Sequence, residues 1–227
     1  KKLKKKCTIV IVTSDKCYKN LEINKGYKET DILGGVDPYS ASKASAEILF
    51  HSFFETFLKN KKNIRICSAR AGNVIGGGDW SDKRLIPDCM KMWLYKKKPV
   101  IRSPRSTRPW QHVLEAVNGY LTLSSTLNYN SKINGHSFNF SSDKIKNLTV
   151  IKFLKEIKSI WPDIKWLVKE NKSFYESSLL QLNNNKAKKL LKWKAKLNFK
   201  ETIEYLVSWY KAYNINKHSI LKITEEQ

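Results

Sequence analysis

Apolar and polar residues follow one another in blocks that predict strands and helices in turn. The run from Lys6 to Thr13 (KCTIVIVT) is short, apolar and rich in β-branched residues, as is typical of a buried parallel strand. Residues 15–36 are polar and contain three glycines, which predicts a loop. Asp37-Pro38 then supplies an N-cap and a first-turn proline for a helix reaching about residue 59. That helix carries an apolar stripe, formed by Leu49, Phe53 and Phe57.

The same alternation continues to the end of the chain. Further strands are predicted over 64–69, 100–101, 137–140 and 164–168, and further helices over 85–96, 111–127, 148–161, 183–193 and 199–213. Strands that alternate with helices predict an α/β fold built on a mostly parallel sheet.

The formal net charge of +23 allows two interpretations. One is a nucleic-acid-binding module, and the other is an enzyme with a lysine-rich surface. Only six of the 43 basic residues are arginine, and all six lie between Arg65 and Arg108. Arginine forms the planar, bidentate contacts that phosphate prefers, so its confinement to one stretch indicates a local phosphate site. Because no nucleic-acid-binding motif accompanies the charge, we favour the enzyme and expect no nucleic-acid partner.

Cysteine spacing and hydropathy exclude other classes of protein. The four cysteines form no CxxC pair and no zinc-type spacing with the histidines, so we expect free thiols, a cytoplasmic protein and no metal site. The longest apolar run, Thr8 to Val12, is far shorter than the ~20 residues that cross a bilayer, so no membrane association is expected.

Tyr39 and Lys43 form a Tyr-x-x-x-Lys pair near the start of the first predicted helix. Residues four apart share one helix face, so the lysine ammonium can stabilise a phenolate and allow the tyrosine to act as a base. A second such pair, Tyr213 and Lys217, has no supporting context and is interpreted as chance.

The segment Thr13-Ser14-Asp15-Lys16 follows the first predicted strand. Open α/β sheets bind their ligands at the carboxyl ends of the strands. There Ser14 can hydrogen-bond a substrate hydroxyl, and Asp15 can donate a proton. The simpler alternative is a side-chain-capped turn that leaves the strand and needs no partner on the helix.

These residues resemble the catalytic set of the extended short-chain dehydrogenases/reductases: Ser14 after a strand, then Tyr39-x-x-x-Lys43 on a helix. Within that family the chain is similar to the CDP-glucose 4,6-dehydratases. The similarity extends through several motifs in the same order: 13-TSDKCY-18, 29-ETDILGGVDPYSASK-43, 70-RAGNVIGGGDW-80, 84-RLIPD-88 and 108-RPWQHVLE-115. The nearest alternative within the family is another nucleotide-sugar epimerase or dehydratase.

The resemblance implies an NAD-dependent dehydration of a nucleotide-activated hexose. Tyr39 would take the proton from the sugar 4-hydroxyl while C4 gives its hydride to NAD. Lys43 would hold the nicotinamide ribose, Ser14 would bond the reacting oxygen, and Asp15 would protonate the departing 6-hydroxyl. Lys16 stands where related dehydratases carry a glutamate that removes the C5 proton, which leaves the identity of the C5 base open.

The resemblance also implies substrate contacts. Asn73 and Arg108 match positions that contact the nucleotide diphosphate, and Arg108 lies in a run with Arg102 and Arg105 that suits a phosphate clamp. Leu85, Ile86 and Asn139 match positions that line the nucleotide pocket. Leu85 and Ile86 are as readily explained as plain core residues.

The family's glycine-rich dinucleotide-binding turn is absent from the 227 residues, and we expect it to precede Lys1. The resemblance therefore predicts a Rossmann-like, doubly wound parallel sheet that lacks its first βαβ part, formed by 1–75 and 108–141. A smaller substrate-binding lobe would comprise 76–107 and 142–227. The helix that carries Tyr39 would contribute to a homodimer interface, and the 227 residues alone are expected to be inactive.

Overall fold

A computed structural model describes residues 5–23, 25–143, 145, 148–170, 180–215 and 220–227. Strands and helices alternate along the chain, which confirms the predicted α/β class. The strands are β1 (Cys7–Val12), β2 (Ile64–Ala71), β3 (Val74–Ile75), β4 (Val100–Ile101), β5 (Thr107–Arg108), β6 (Gln111–His112), β7 (Ser137–Phe140), β8 (Leu148–Thr149) and β9 (Leu167–Val168). The helices are α1 (Pro38–Phe53), α2 (Leu85–Leu94), α3 (Val113–Tyr129), α4 (Val150–Ile160), α5 (Asn185–Leu191), α6 (Phe199–Ile215) and α7 (Ile220–Glu226).

The described residues divide into two compact units. The first comprises Lys1–Asn73, Leu114–Asp143 and Leu179–Lys196, and the second comprises Val74–Val113, Lys144–Ser178 and Leu197–Gln227.

The first unit is built on a parallel three-stranded sheet in the order β1-β2-β7. Cys7 pairs with Ile64 at one end of the sheet, and Arg70 pairs with Asn139 near the other. Parallel neighbours need a crossover, and α1 supplies the one between β1 and β2. The last six residues of β2 are buried, as the central strand of a covered parallel sheet requires.

Helix α1 buries a different face from the predicted apolar stripe of Leu49, Phe53 and Phe57. Ala44, Glu47 and Phe50 are buried, and Phe50 packs with Phe54 against Ile66 of β2. A π-helical turn over Phe54–Leu58 continues α1. The stripe of Leu49, Phe53 and Phe57 is more than half exposed instead.

The second unit holds its own hydrophobic core around Trp110, Phe153, Ile203 and Tyr210. Its strands form two-residue pairs, parallel for β3-β6 and β4-β9 and antiparallel for β5-β8. Helix α4 packs against α6 within this unit. Such short pairs depend on neighbouring helices for their stability, because an isolated pair of strands is marginal in water.

The unit boundaries differ from the predicted division by two residues at 74–75 and at 142–143, and by more at two other places. Residues 108–113 belong to the second unit, where Gln111 and His112 of β6 pair with Val74 and Ile75 of β3. Leu179–Lys196 belongs to the first unit, where α5 contacts β7. The functions assigned to the two parts remain predictions. Among the described residues, no helix is long and apolar enough to span a membrane.

Candidate functional site

A tight turn at the carboxyl end of β1 positions Ser14 and Asp15. Ser14 caps a short 3-10 helix over Asp15–Cys17: its Oγ accepts from the backbone N–H of Lys16 at 3.2 Å and donates to Asp15 Oδ1 at 3.0 Å. Asp15 is only 3% exposed. The turn thus combines the capped geometry of the simpler alternative with a buried carboxyl group that shares a hydrogen bond with Ser14.

Gly72, which follows β2, lies directly against the Asp15 carboxyl group. A Cβ atom at Gly72 would stand 2.1 Å from Asp15 Oδ2, so any larger residue there would displace the carboxyl group. The next residue, Asn73, has a left-handed backbone with φ of 48°, a conformation that asparagine adopts more readily than most residues. The predicted substrate contact Asn73 therefore lies at the same sheet edge as Ser14 and Asp15.

Helix α1 begins with a complete capping box. The Asp37 carboxylate accepts from the N–H groups of Tyr39 and Ser40 at 2.9 and 3.0 Å, and the Asp37 backbone N–H donates to Ser40 Oγ at 3.3 Å. Hydrogen bonds from Ser40 hold the pKa of Asp37 below its ordinary value, and the charge of Lys16 contributes a smaller effect in the same direction. The first turn of α1, which carries Tyr39, is thereby fixed.

Tyr39 and Lys43 lie on one accessible face of α1. The Lys43 ammonium stands 5.6 Å from the centroid of the Tyr39 ring, and Tyr39 is 54% exposed. Helix α1 also contacts the turn that carries Asp15 and Lys16. The five residues predicted to be catalytic therefore lie on two touching elements at the carboxyl edge of the sheet, while their individual roles remain predictions.

Asn139 does not lie open to a ligand. It is fully buried in β7, its Oδ1 accepts from the Tyr18 hydroxyl at 2.8 Å, and its amide donates to the carbonyls of Tyr27 and Asn183. Because both amide hydrogens already have protein partners, this geometry gives no support to the predicted contact of Asn139 with substrate.

The remaining predicted substrate contacts belong to the second unit. Ile86 is buried in its core, and Leu85 packs against that core, which favours the core interpretation for both residues. Arg108 is partly buried in β5, and its Nη1 donates to the carbonyl of Thr107 at 2.9 Å. Arg102 and Arg105 are exposed, and Arg105 lies 3.7 Å from Glu170, so Arg108 is the most buried arginine of the predicted run.

A buried ion pair behind the site was missed in the sequence. Glu47 Oε2 of α1 lies 2.8 Å from Arg70 Nη2 of β2, and the two side chains are 0% and 1% exposed. Burial alone would raise the pKa of Glu47, but hydrogen bonds and charge from Arg70, with hydrogen bonds from Thr13 and Ser68, hold that pKa below its ordinary value. The pair is therefore ionised inside the first unit.

The sequence held one signal for this pair. Arg70 directly follows the predicted strand 64–69, and a charge that lies inside a covered parallel strand needs a buried partner. Glu47, four residues after Lys43, was the candidate on the neighbouring helix.

Comparison with known proteins identifies the family of the chain. A family model described as GDP-mannose 4,6 dehydratase matches residues 1–206. The chain is 37% identical over 210 residues to the CDP-glucose 4,6-dehydratase of Salmonella typhimurium, a match that covers 90% of this chain and 58% of the relative. The chain thus spans less than two thirds of the length of that relative.

Solved structures show the same fold. The dTDP-glucose 4,6-dehydratase of Bacillus anthracis, solved with NAD, superposes with a TM-score of 0.72 at 20% identity over 94% of this chain and 64% of that chain. The UDP-glucuronic acid 4-epimerase of Bacillus cereus superposes with a TM-score of 0.75 at 16% identity, covering 90% of this chain and 61% of that one. The predicted Rossmann-type fold and the resemblance to nucleotide-sugar dehydratases are thereby confirmed, and the chain belongs to the GDP-mannose 4,6-dehydratase family.

Proposed function

We propose that this chain carries the catalytic residues of an NAD-dependent nucleotide-sugar 4,6-dehydratase whose substrate is CDP-glucose. The observation that supports this most strongly is the contact between the turn that carries Asp15 and helix α1, on which Tyr39 and Lys43 lie side by side. The identity of 37% to a CDP-glucose 4,6-dehydratase supports the choice of substrate.

Tyr39 acts as the base at the sugar 4-hydroxyl. Its ring is accessible, and the Lys43 ammonium on the same face stabilises the phenolate that must form. The Ser14 hydroxyl, which donates to Asp15 in this structure, turns to donate to the same sugar oxygen when substrate binds. Lys43 and Tyr39 also suit the ribose of a dinucleotide, because Tyr39 is exposed and Lys43 is partly exposed on a helix next to a sheet edge of the type that binds such groups. NAD, when bound, supplies the acceptance and return of one hydride.

Asp15 acts in the elimination half of the reaction. The 4-ketone acidifies the C5 hydrogen, so that a base removes it while the C6–O bond breaks and water leaves. Asp15 gives the departing hydroxyl its proton, and its burial keeps that proton from exchanging freely with bulk water. After hydride returns to C6 and a proton to C5, the product is a 4-keto-6-deoxy sugar nucleotide, which we propose feeds deoxysugar synthesis for a cell-surface glycan.

We propose that the protein is a homodimer in the cytoplasm. The exposed apolar stripe of α1 and its continuation supports dimerisation, since Leu49, Phe53 and Phe57 would otherwise face water and the rings of Phe53 and Phe57 stand 5.3 Å apart. The four cysteines, all within the described residues, are free thiols, as a reducing compartment requires.

The proposal is tested by incubating the complete protein with NAD and a panel of CDP-, dTDP-, UDP- and GDP-hexoses. We measure the loss of one water from each sugar by mass spectrometry, and we expect it to be fastest with CDP-glucose. Tyr39→Phe should lower kcat by at least ~10²-fold, because it removes the general base while keeping the ring.

Tyr213→Phe is the matched control, since Tyr213 begins the second Tyr-x-x-x-Lys pair and its ring stacks on Trp209 at 5.8 Å. Lys217 lies outside the described residues. Equal losses of activity in the two variants, or no dehydration of any sugar in the panel, would contradict the proposal.

A further inference from the structure

Glu47 lies on the same helix as the predicted catalytic pair, one turn after Lys43 and two turns after Tyr39. With a rise of 1.5 Å per residue, Lys43 and Tyr39 lie about 6 and 12 Å from Glu47 along the helix axis, towards the N-terminus of α1. Any rotation or slide of α1 at Glu47 is therefore passed directly to Lys43 and Tyr39.

The Glu47 carboxylate bonds to side chains of three neighbouring segments. One oxygen, Oε1, accepts from the hydroxyl of Thr13, the residue that precedes Ser14. The other, Oε2, accepts from Ser68 Oγ at 2.8 Å, Arg70 Nη2 at 2.8 Å and Ser137 Oγ at 3.1 Å. A single side chain thus joins α1 to the end of β1, to β2 and to β7.

Arg70 extends this network to the loop after β1. Its Nη1 donates to the Tyr18 hydroxyl at 2.7 Å and to the carbonyl of Glu29 at 3.2 Å. Tyr18 in turn donates to Asn139. The Glu47–Arg70 pair therefore fixes both elements that carry the site, the helix with Tyr39 and the segment with Ser14.

General stability explains this arrangement less well than positioning does. A buried ion pair pays a desolvation penalty that can exceed the Coulombic gain, so a well-packed apolar pair would stabilise the fold at least as well. What an apolar pair cannot supply is the directional bond from Glu47 to Thr13, next to Ser14. Well-supported groups of this kind hold catalytic residues in productive geometry.

We propose that Glu47, held by Arg70, is a positioning residue that sets the Tyr39–Lys43 face of α1 relative to Ser14. This inference rests on the proposed function. It assigns to Glu47 no contact with substrate or cofactor. Its loss acts on the hydride-transfer step through the placement of Tyr39 and Lys43, since a misplacement of 1 Å can cost about 10²-fold in rate.

The test compares Glu47→Gln with Glu115→Gln in the complete protein, below the unfolding temperature of both variants. Glu115 is a matched control: it is buried in the same unit, and its Oε1 accepts from the backbone N–H of Lys196 at 2.7 Å. Glu47→Gln should lower kcat on CDP-glucose ~10²-fold while KM changes by less than about 3-fold, and it should raise the isotope effect of deuterium at sugar C4. Glu115→Gln should keep kcat and the isotope effect.

A Glu47→Gln protein that loses only thermal stability, with the kcat and isotope effect of Glu115→Gln, overturns the inference and leaves the proposed function standing. An inactive wild-type protein contradicts the proposed function itself, and the inference falls with it. If Glu47→Gln does not fold, Thr13→Val decides, because it removes one hydrogen bond and keeps the ion pair. Its kcat should fall about 5-fold with a raised isotope effect; unchanged values overturn the inference.

Discussion

Lys16 follows the buried Asp15 in the turn after β1, and its charge acts on Asp37 at the N-terminus of α1. A lysine becomes a base only where burial or neighbouring cations favour its neutral form. We expect Lys16→Ala to oxidise C4 of the sugar but to stall before water leaves, because the group that removes the C5 proton is lost. Exchange of the C5 hydrogen with solvent deuterium, followed by NMR, should be suppressed in this variant.

Lys19→Ala controls for the loss of one positive charge, since Lys19 is exposed three residues further along the same segment. Normal C5 exchange in Lys16→Ala would show that another group removes the proton.

Local spacing made some site residues predictable and left others hidden. Tyr39 and Lys43 share a helix face whatever the rest of the fold does, and Ser14 is fixed by the end of its strand. Arg70 instead lies 23 positions after Glu47, and only the crossover between β1 and β2 brings the two side chains within 2.8 Å. No periodicity in the sequence encodes that distance.

Helices and strands were predictable where they are long enough for their apolar residues to show a period. The strand over 137–140 occupies the predicted residues, and α1 and α6 begin within one residue of their predicted starts. The pairs β3-β6 and β5-β8 were missed, because strands of two residues carry no alternation and depend on partners far along the chain. The first predicted helix reaches about residue 59, and its last turn, Phe54–Leu58, is π-helical, a distinction that the hydrophobic pattern does not make.

Helix α3 offers a test in which local propensity and packing oppose each other. Alanine favours a helix over glycine by about 1 kcal/mol, so Gly119→Ala should stabilise α3 by propensity alone. A Cβ atom at Gly119 would, however, stand 2.4 Å from Cδ1 of the fully buried Phe140 ring. We expect overpacking to prevail and to lower the free energy of unfolding by about 1–3 kcal/mol.

Urea unfolding measures this change. Ser125→Ala, at an exposed position of the same helix, is the control and should be neutral or slightly stabilising. A Gly119→Ala protein that is more stable than wild type would show that Phe140 can move aside.

The molecule as a whole should lose stability in mild acid. Burial lowers the pKa of His112 to about 4. Below pH ~6.5 the unfolded chain binds a proton at this histidine and the folded chain does not, so stability present above pH ~6.5 is lost as pH falls towards ~4. Between pH 7 and pH 5 this amounts to about 2 kcal/mol.

Urea unfolding of wild type and His112→Gln at pH 7 and pH 5, monitored by tryptophan fluorescence, measures the loss of stability in each protein. Burial also lowers the pKa values of His51 and His136, so the variant should still lose stability in acid. Its loss between pH 7 and pH 5 should be smaller than that of wild type by about 2 kcal/mol. An equal loss of stability in wild type and variant would contradict the assignment to His112.

The ion pair between α1 and β2 also limits how this chain can be recombined with its relatives. A chimera whose recombination point falls between Glu47 and Arg70 takes the two residues from different parent proteins. If the second parent lacks either one, the hybrid inherits a lone charge with no water to solvate it. Recombination points outside this interval transfer both residues together. Segment exchange in this family should therefore treat 47–70 as one inherited block, although it contains the whole connection from helix to strand.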